Sequence, residues 1–170
     1  GGTYLAEYGG NGKLAFIVRF AADVINGMPS IVMGIFAYTL IVLPMKHFSA
    51  LAGAVALAIM LIPISVRSTD EFLKLVPSTV RESALALGLP QWKVVLFVVF
   101  PTAFSGLITG SLLAVSRIAG ETAPLLFTAF GNRYWGDGLL SPIATLPVMI
   151  FNYSISPYDD WHRQAWAAAL

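Results

Sequence analysis

Charged side chains are scarce in this sequence, so the few that stand out by type and spacing frame the chemistry open to it. Arg117 and Glu121 are four residues apart and share one face if the helix there continues. Arg presents a planar fork of donors that matches phosphate oxygens. A carboxylate accepts a hydrogen bond from a protonated phosphate hydroxyl and repels a fully ionised anion. The same pair also reads as a structural salt bridge, and the residue types alone do not choose between the two. A second group is Glu82-Ser83-Ala84, followed by Gly88 and then Pro101. It belongs to a short, mildly amphipathic helix signal with a glycine stop, held between long uncharged segments. A polar helix in that position must face an aqueous partner.

Other polar residues carry less. Asp159, Asp160 and His162 have metal-ligand types but read as a solvated outer loop, so no metal site is expected. His47, beside Lys46, reads as an interfacial loop residue, and Asp23 as a charge at a helix N-terminus. No H-E-x-x-H, G-x-S-x-G, G-x-x-x-x-G-K-[ST] or paired intramembrane carboxylate is present. The chain is therefore not expected to be an enzyme, and no catalytic residue is assigned.

The elements that position these residues follow from composition. Hydrophobic residues make up 57% and charged ones 11% of 170 residues, against about 25% charged in soluble domains. The mean hydropathy is +0.76. So much apolar surface points to lipid as the solvent. A net charge of +1 gives no argument for nucleic acid, and the absence of cysteine excludes thiol chemistry. A span needs about 20 predominantly apolar residues. Uncharged runs at 24–43, 48–66 and 94–116 meet that need, and 162–170 opens a last one. The third span can start at Lys93 or near Pro101; the second suits a proline at a helix start. It would put Arg117 about 24 Å into the helix at 1.5 Å per residue. Residues 138–158 hold Pro142, Pro147 and Pro157 and read as an irregular, re-entrant or broken segment. Pro63 is expected to kink the second span.

Basic residues gather before the first span (Lys13, Arg19) and between the second and third (Arg67, Lys74, Arg81, Lys93). By the positive-inside rule both segments are cytoplasmic. Tyr134, Trp135, Tyr153, Tyr158, Trp161 and Trp166 then form an aromatic belt on the opposite side. Within the 67–93 loop, Ser68-x-x-Glu71 and Thr79-x-x-Glu82 both fit a capping box. Val80, Ala84 and Leu87 fall on one helix face, Gly88 suits the C′ position and Pro90 blocks continuation. Gly1–Gly10 reads as the middle of a loop, and the chain stops within the apolar run Ala165–Leu170. It therefore reads as a truncated piece of a longer multi-pass protein, one partial transmembrane domain over 1–170.

The spacing Glu82-Ser83-Ala84, Gly88, Val98, Phe100-Pro101 resembles the EAA loop of the membrane subunits of binding-protein-dependent ABC importers. Ser83, Val98 and Phe100 depart from the usual Ala, Ile and Leu; Glu82, Gly88 and Pro101 are in register. Three further segments resemble the A-type permease subunits of phosphate-specific (Pst) importers. They are Arg117-Ile-Ala-Gly-Glu-Thr-Ala-Pro-Leu-Leu-Phe127, Gly27-Met-Pro-Ser-Ile-Val-Met-Gly34 and Pro142-Ile-Ala-Thr-Leu-Pro147. The resemblance covers essentially the whole chain. It implies an all-α, polytopic membrane helix bundle of the MetI-like permease type, in a bacterial inner membrane. It implies phosphate import, with another oxyanion or small solute as the rival cargo; a membrane scaffold or assembly protein is the rival of a different class. It implies an ATP-binding subunit dimer, a second homologous permease and an extracytoplasmic phosphate-binding protein as partners. No cofactor belongs to this chain, with ATP and Mg held by the ATPase. Glu82, Ser83, Ala84 and Gly88 would couple to that ATPase, with Glu82 capping its helix, pairing with a basic residue of the partner, or both. Arg117 and Glu121 would line the anion route.

Overall fold

Prolines and glycines punctuate the apolar runs; some of them close a helix and others lie inside one. The computed structural model describes residues 1–10, 12–132 and 138–170; Tyr134 and Trp135 of the expected aromatic belt lie outside them. Residues 1–10 are not the loop the sequence suggested. They contain helix α1, Gly2–Glu7, packed so closely that a Cβ on Gly2 would stand 2.5 Å from Thr69 Cβ and 2.7 Å from the Val66 carbonyl oxygen.

Helix α2, Lys13–Gly27, contains Asp23, which is therefore inside a helix and not at its start. The expected span over 24–43 is interrupted. The residue before a proline avoids the helical region, so α2 closes at Gly27 and Pro29 becomes the N-cap of α3, Ser30–Ala37. Helix α3 continues through a π-helical turn, Tyr38–Val42, into α4, Leu43–Met45. Helix α5, Ala50–Lys74, runs well past the expected end of the second span and carries Pro63 inside it. Ser68 is thus mid-helix and starts nothing.

Helix α6 is Ser78–Ala86. Its N-cap is Pro77, with no side-chain cap bond, so the expected Thr79 capping box does not form. Instead the Ser83 hydroxyl donates to the Thr79 carbonyl at 2.8 Å. The next helical run opens at α7, Gln91–Val94, behind Pro90, and passes through a second π turn, Val95–Val99, into α8, Phe100–Ala119. Pro101 is therefore not a helix start. Both π turns have one cause. Proline has no N–H and its ring crowds the carbonyl four residues back. The amide just before it, on Leu43 or Phe100, reaches five residues back to Tyr38 and Val95, which opens the helix locally.

Short helices α9, Ala123–Thr128, α10, Leu146–Ser154, and α11, Asp159–Ala169, complete the described chain. Residues 138–158 are irregular apart from α10, where Pro147 sits in the first turn. The fold is all-α, as expected. Among the described residues the β pairing consists of an isolated bridge between Phe130 and Ile143. Ala50–Lys74 and Gln91–Ala119 are each long and apolar enough to cross a membrane; Lys13–Gly27 and Ser30–Met45 are so only as a broken pair.

The chain divides into two compact units, Gly1–Gly27 with Leu61–Ser116, and Met28–Met60 with Arg117–Leu170. The first is built on a core of Leu73, Val76, Ala84, Val94, Val99 and Ala103. Beside it the Phe72 ring lies over Gly106 and Gly110, where a Cβ would come within 2.5 and 2.8 Å of the ring. Small residues let an aromatic ring approach the α8 backbone closely. The second unit packs Leu125, Ala129 and Val148 with Leu57 and Leu126.

Candidate functional site

Helix α6 shows its two faces clearly. Val80 and Ala84 pack into the first unit's core, so Ala84, expected on the partner side, faces inward. Leu87, expected on one face with Val80 and Ala84, is instead 83% exposed because the helix has already ended at Ala86. Gly88 takes φ +82°, the left-handed C′ conformation its place in the sequence predicts, and its amide donates to the Leu85 carbonyl at 2.9 Å. Glu82, Ser83, Leu85, Ala86 and Leu87 are exposed. Among the described residues Glu82 forms no ion pair. A small, partly apolar surface with one free carboxylate is what α6 presents outward.

The inner side of α6 is held by charges that sequence spacing did not single out. The Arg81 guanidinium forks onto Glu7, with Nη2 at 2.9 Å from Oε1 and Nε at 3.3 Å from Oε2. It also donates to the Leu73 carbonyl, in the last turn of α5, at 2.6 Å and to the Val76 carbonyl just beyond that helix. The Glu7 side chain is 6% exposed. Its own carbonyl accepts from Gln91 Nε2 at 3.1 Å, so Glu7 touches both α6 and the start of α7.

A second cluster centres on Asp70, whose side chain is fully buried. Arg19 Nε lies 3.1 Å and Lys74 Nζ 2.7 Å from its Oδ2. Arg67 reaches Asp70, Asp23 and Glu71, at 3.7, 2.8 and 3.9 Å. Arg19 also donates to the Leu5 carbonyl at 2.6 Å and the Gly10 carbonyl at 3.2 Å. Arg19, which in the sequence is a topology-setting charge, binds α1 and α2 to α5. The signal in the sequence was Asp70 itself, a carboxylate close to an apolar span.

In the second unit two of the three segments that carried the phosphate-branch resemblance, 27–34 and 117–127, pack directly on each other. A Cβ on Gly34 would stand 2.8 Å from Pro124 Cα and 3.2 Å from the Ala123 carbonyl oxygen, so α3 and α9 meet almost backbone to backbone. The first amides of α5 lack partners within their own helix. The Ser49 amide donates to the Thr128 carbonyl at 3.1 Å, Ala50 to Ser141 at 2.9 Å and Leu51 to Leu139 at 2.9 Å. The Thr-Ala-Pro-Leu-Leu run is thus mainly packing: Pro124 and Leu125 are buried.

Arg117 lies in the last turn of α8 and is exposed, while Glu121 is half-buried. They do not share a helix face. Helix α8 ends at Ala119, and the Glu121 amide turns back to the Ile118 carbonyl at 3.1 Å. Among the described residues neither takes part in an ion pair. Arg117 is 26 positions beyond Gln91, about 39 Å at 1.5 Å per residue, so it sits near the far end of a helix longer than the roughly 30 Å hydrocarbon layer. Of the three residues with metal-ligand types, His162 sets Nε2 at 2.6 Å from the Ser156 carbonyl. Asp159 and Asp160 open α11.

Residues 1–151 match the family described as binding-protein-dependent transport system inner membrane component. The chain belongs to that family. Membership and the two apolar helices make it an integral membrane protein. Within the family it is similar to the phosphate transport system permease protein PstA of Xylella fastidiosa strain 9a5c, 52% identical over 99% of this chain and 59% of that one. The PstA proteins of Yersinia pestis and Haemophilus influenzae are 50% and 53% identical, over 57% and 60% of their lengths. The chain thus spans about three fifths of the length of these relatives.

Proposed function

We propose that the chain is part of a permease subunit through which inorganic phosphate is imported at the expense of ATP hydrolysed elsewhere. The observation that carries the reading is the division of α6: Val80 and Ala84 are packed inward, whereas Glu82, Ser83, Ala86 and Leu87 are left uncovered. This fits a docking helix for an ATPase. Small side chains let a partner groove approach, and Gly88 turns the chain back towards the next span. The 67–93 segment is then cytoplasmic and the membrane a bacterial inner membrane. A second permease, an ATP-binding subunit dimer carrying ATP and Mg, and an extracytoplasmic binding protein complete the machine.

Phosphate as cargo rests on the similarity to phosphate transport permease proteins and on Arg117, which is exposed and forms no ion pair among the described residues. A guanidinium fork fits a tetrahedral oxyanion; Glu121 nearby in sequence favours a protonated one. The decisive experiment is reconstitution of the full-length protein with its co-purifying subunits in liposomes, followed by uptake of labelled phosphate and sulfate. ATP-dependent phosphate uptake is expected. Sulfate uptake alone would assign another oxyanion. Co-purification of a partner without a nucleotide-binding P-loop would make the chain a scaffold.

A further inference from the structure

We infer that Glu7 and Arg81 form a positioning pair that carries movement of α6 into the spans through α1. The inference rests on the reading of α6 as an ATPase-docking helix and adds the route by which its displacement leaves it. Arg81 is next to Glu82 on α6 but points the other way, and its donors are divided between Glu7 and the carbonyls of Leu73 and Val76. Any shift of α6 therefore pulls on the end of α5 and on α1 together. Helix α1 has little freedom to absorb the pull. Gly2 abuts Val66 and Thr69, a Cβ on Gly9 would lie 2.8 Å from Ala15 Cβ, and the Leu5 carbonyl is held by Arg19, itself paired to Asp70. The Glu7 carbonyl meanwhile holds Gln91, where the next long helix begins.

The chemistry of the pair argues for position over stability. Burying a carboxylate and a guanidinium costs desolvation that their attraction only about offsets, and apolar residues of similar volume would serve stability as well. What a forked, charge-assisted pair supplies is fixed geometry. Two elements distant in sequence are thereby held in one register, which transmission between them requires.

The test uses the full-length transporter assembled with its ATPase and companion subunits in liposomes. Glu7→Gln, Arg81→Gln and the double variant are compared for co-purified ATPase, ATP hydrolysis and phosphate imported per ATP. Glu7→Gln is expected to retain its ATPase and its hydrolysis rate while phosphate per ATP falls about tenfold, within the usual range of coupling free energies. The double variant is expected to be no worse than the worse single one. Phosphate per ATP at the unsubstituted level in Glu7→Gln overturns the inference, and so does a loss that merely tracks loss of assembled complex. A second measurement does not depend on how the variants fold. Residues 1–170 contain no cysteine, so Tyr4→Cys, at a site 46% exposed, accepts a spin label on α1. Its spectrum is expected to change when ATP binds, and an unchanged spectrum overturns the inference. An unsubstituted complex that brings down no ATPase sinks the functional reading and this inference with it. A complex that imports equally well with and without Glu7 sinks the inference alone.

Discussion

The carboxylate of Glu7 and the guanidinium of Arg81, 74 positions apart in sequence, meet in a two-pronged ion pair with Glu7 only 6% exposed. The pair places α6 against α1, a helix of six residues that has no amphipathic signature of its own. It also separates the two sides of α6, one bonded inward and one free, and predictions about the molecule divide along the same line.

On the free side, Leu87→Asp is expected to weaken ATPase binding about thirtyfold without loosening the fold. Leu87 is 83% exposed, and surface changes usually move stability by no more than about 0.5 kcal/mol. Loss of a central apolar contact in an interface costs about 2 kcal/mol or more. Pull-down of the ATPase alongside thermal unfolding in detergent checks both halves; ATPase recovery at the original level would place docking elsewhere.

Asp70→Asn should be strongly destabilising. The fully buried carboxylate is shared by Arg19 and Lys74, with Arg67 at 3.7 Å, and neutralising it leaves three cations without their common partner. The cations left behind are part-exposed, so the loss is that of hydrogen bonds to a charged group, about 1.5–3 kcal/mol. A melting temperature in detergent indistinguishable from the parent protein would show that the cluster contributes nothing.

Two glycines make an internal comparison. Gly34→Ala drives a Cβ to 2.8 Å from Pro124 Cα, a backbone atom that cannot swing aside, and overpacking of this kind costs about 1–3 kcal/mol. Gly27→Ala meets nothing within 4 Å and is expected to be neutral or slightly stabilising. Equal unfolding midpoints for the two variants would contradict the close approach of α3 and α9.

Arg117→Ala is expected to lower phosphate uptake about tenfold, the worth of a lost charge-assisted contact. Stability should be unaffected, because Arg117 is exposed and forms no ion pair among the described residues. Labelled-phosphate uptake in the assembled transporter measures the first, and unfolding the second. Full uptake by a folded variant removes Arg117 from the anion route.

Pro101→Ala restores an amide to the α8 helix. The π turn at Val95–Val99 is expected to tighten to ordinary helix, with the new amide at 101 protected from hydrogen exchange. An unprotected amide there would mean that packing, and not the proline, holds the turn open.

What the sequence determined by itself was whatever depends on local chemistry. Apolar runs made the chain all-α and membrane-embedded; Pro77, Gly88 and Pro90 bounded α6; the spacing from Glu82 to Pro101 carried the family. Boundaries slipped where a local rule had a rival. Ser68 fits a capping box, but the helix of α5 was already running through it, and the Arg117–Glu121 spacing assumed a helix that stops at Ala119. Only the tertiary structure decided which charges meet. Arg19 and Asp70 are separated by 51 positions and Glu7 and Arg81 by 74, and in sequence Arg19 and Arg81 count only as topology-setting charges. No period or spacing encodes a partner at that distance, because the pairing exists only once α1, α2, α5 and α6 have packed and excluded water from the carboxylates.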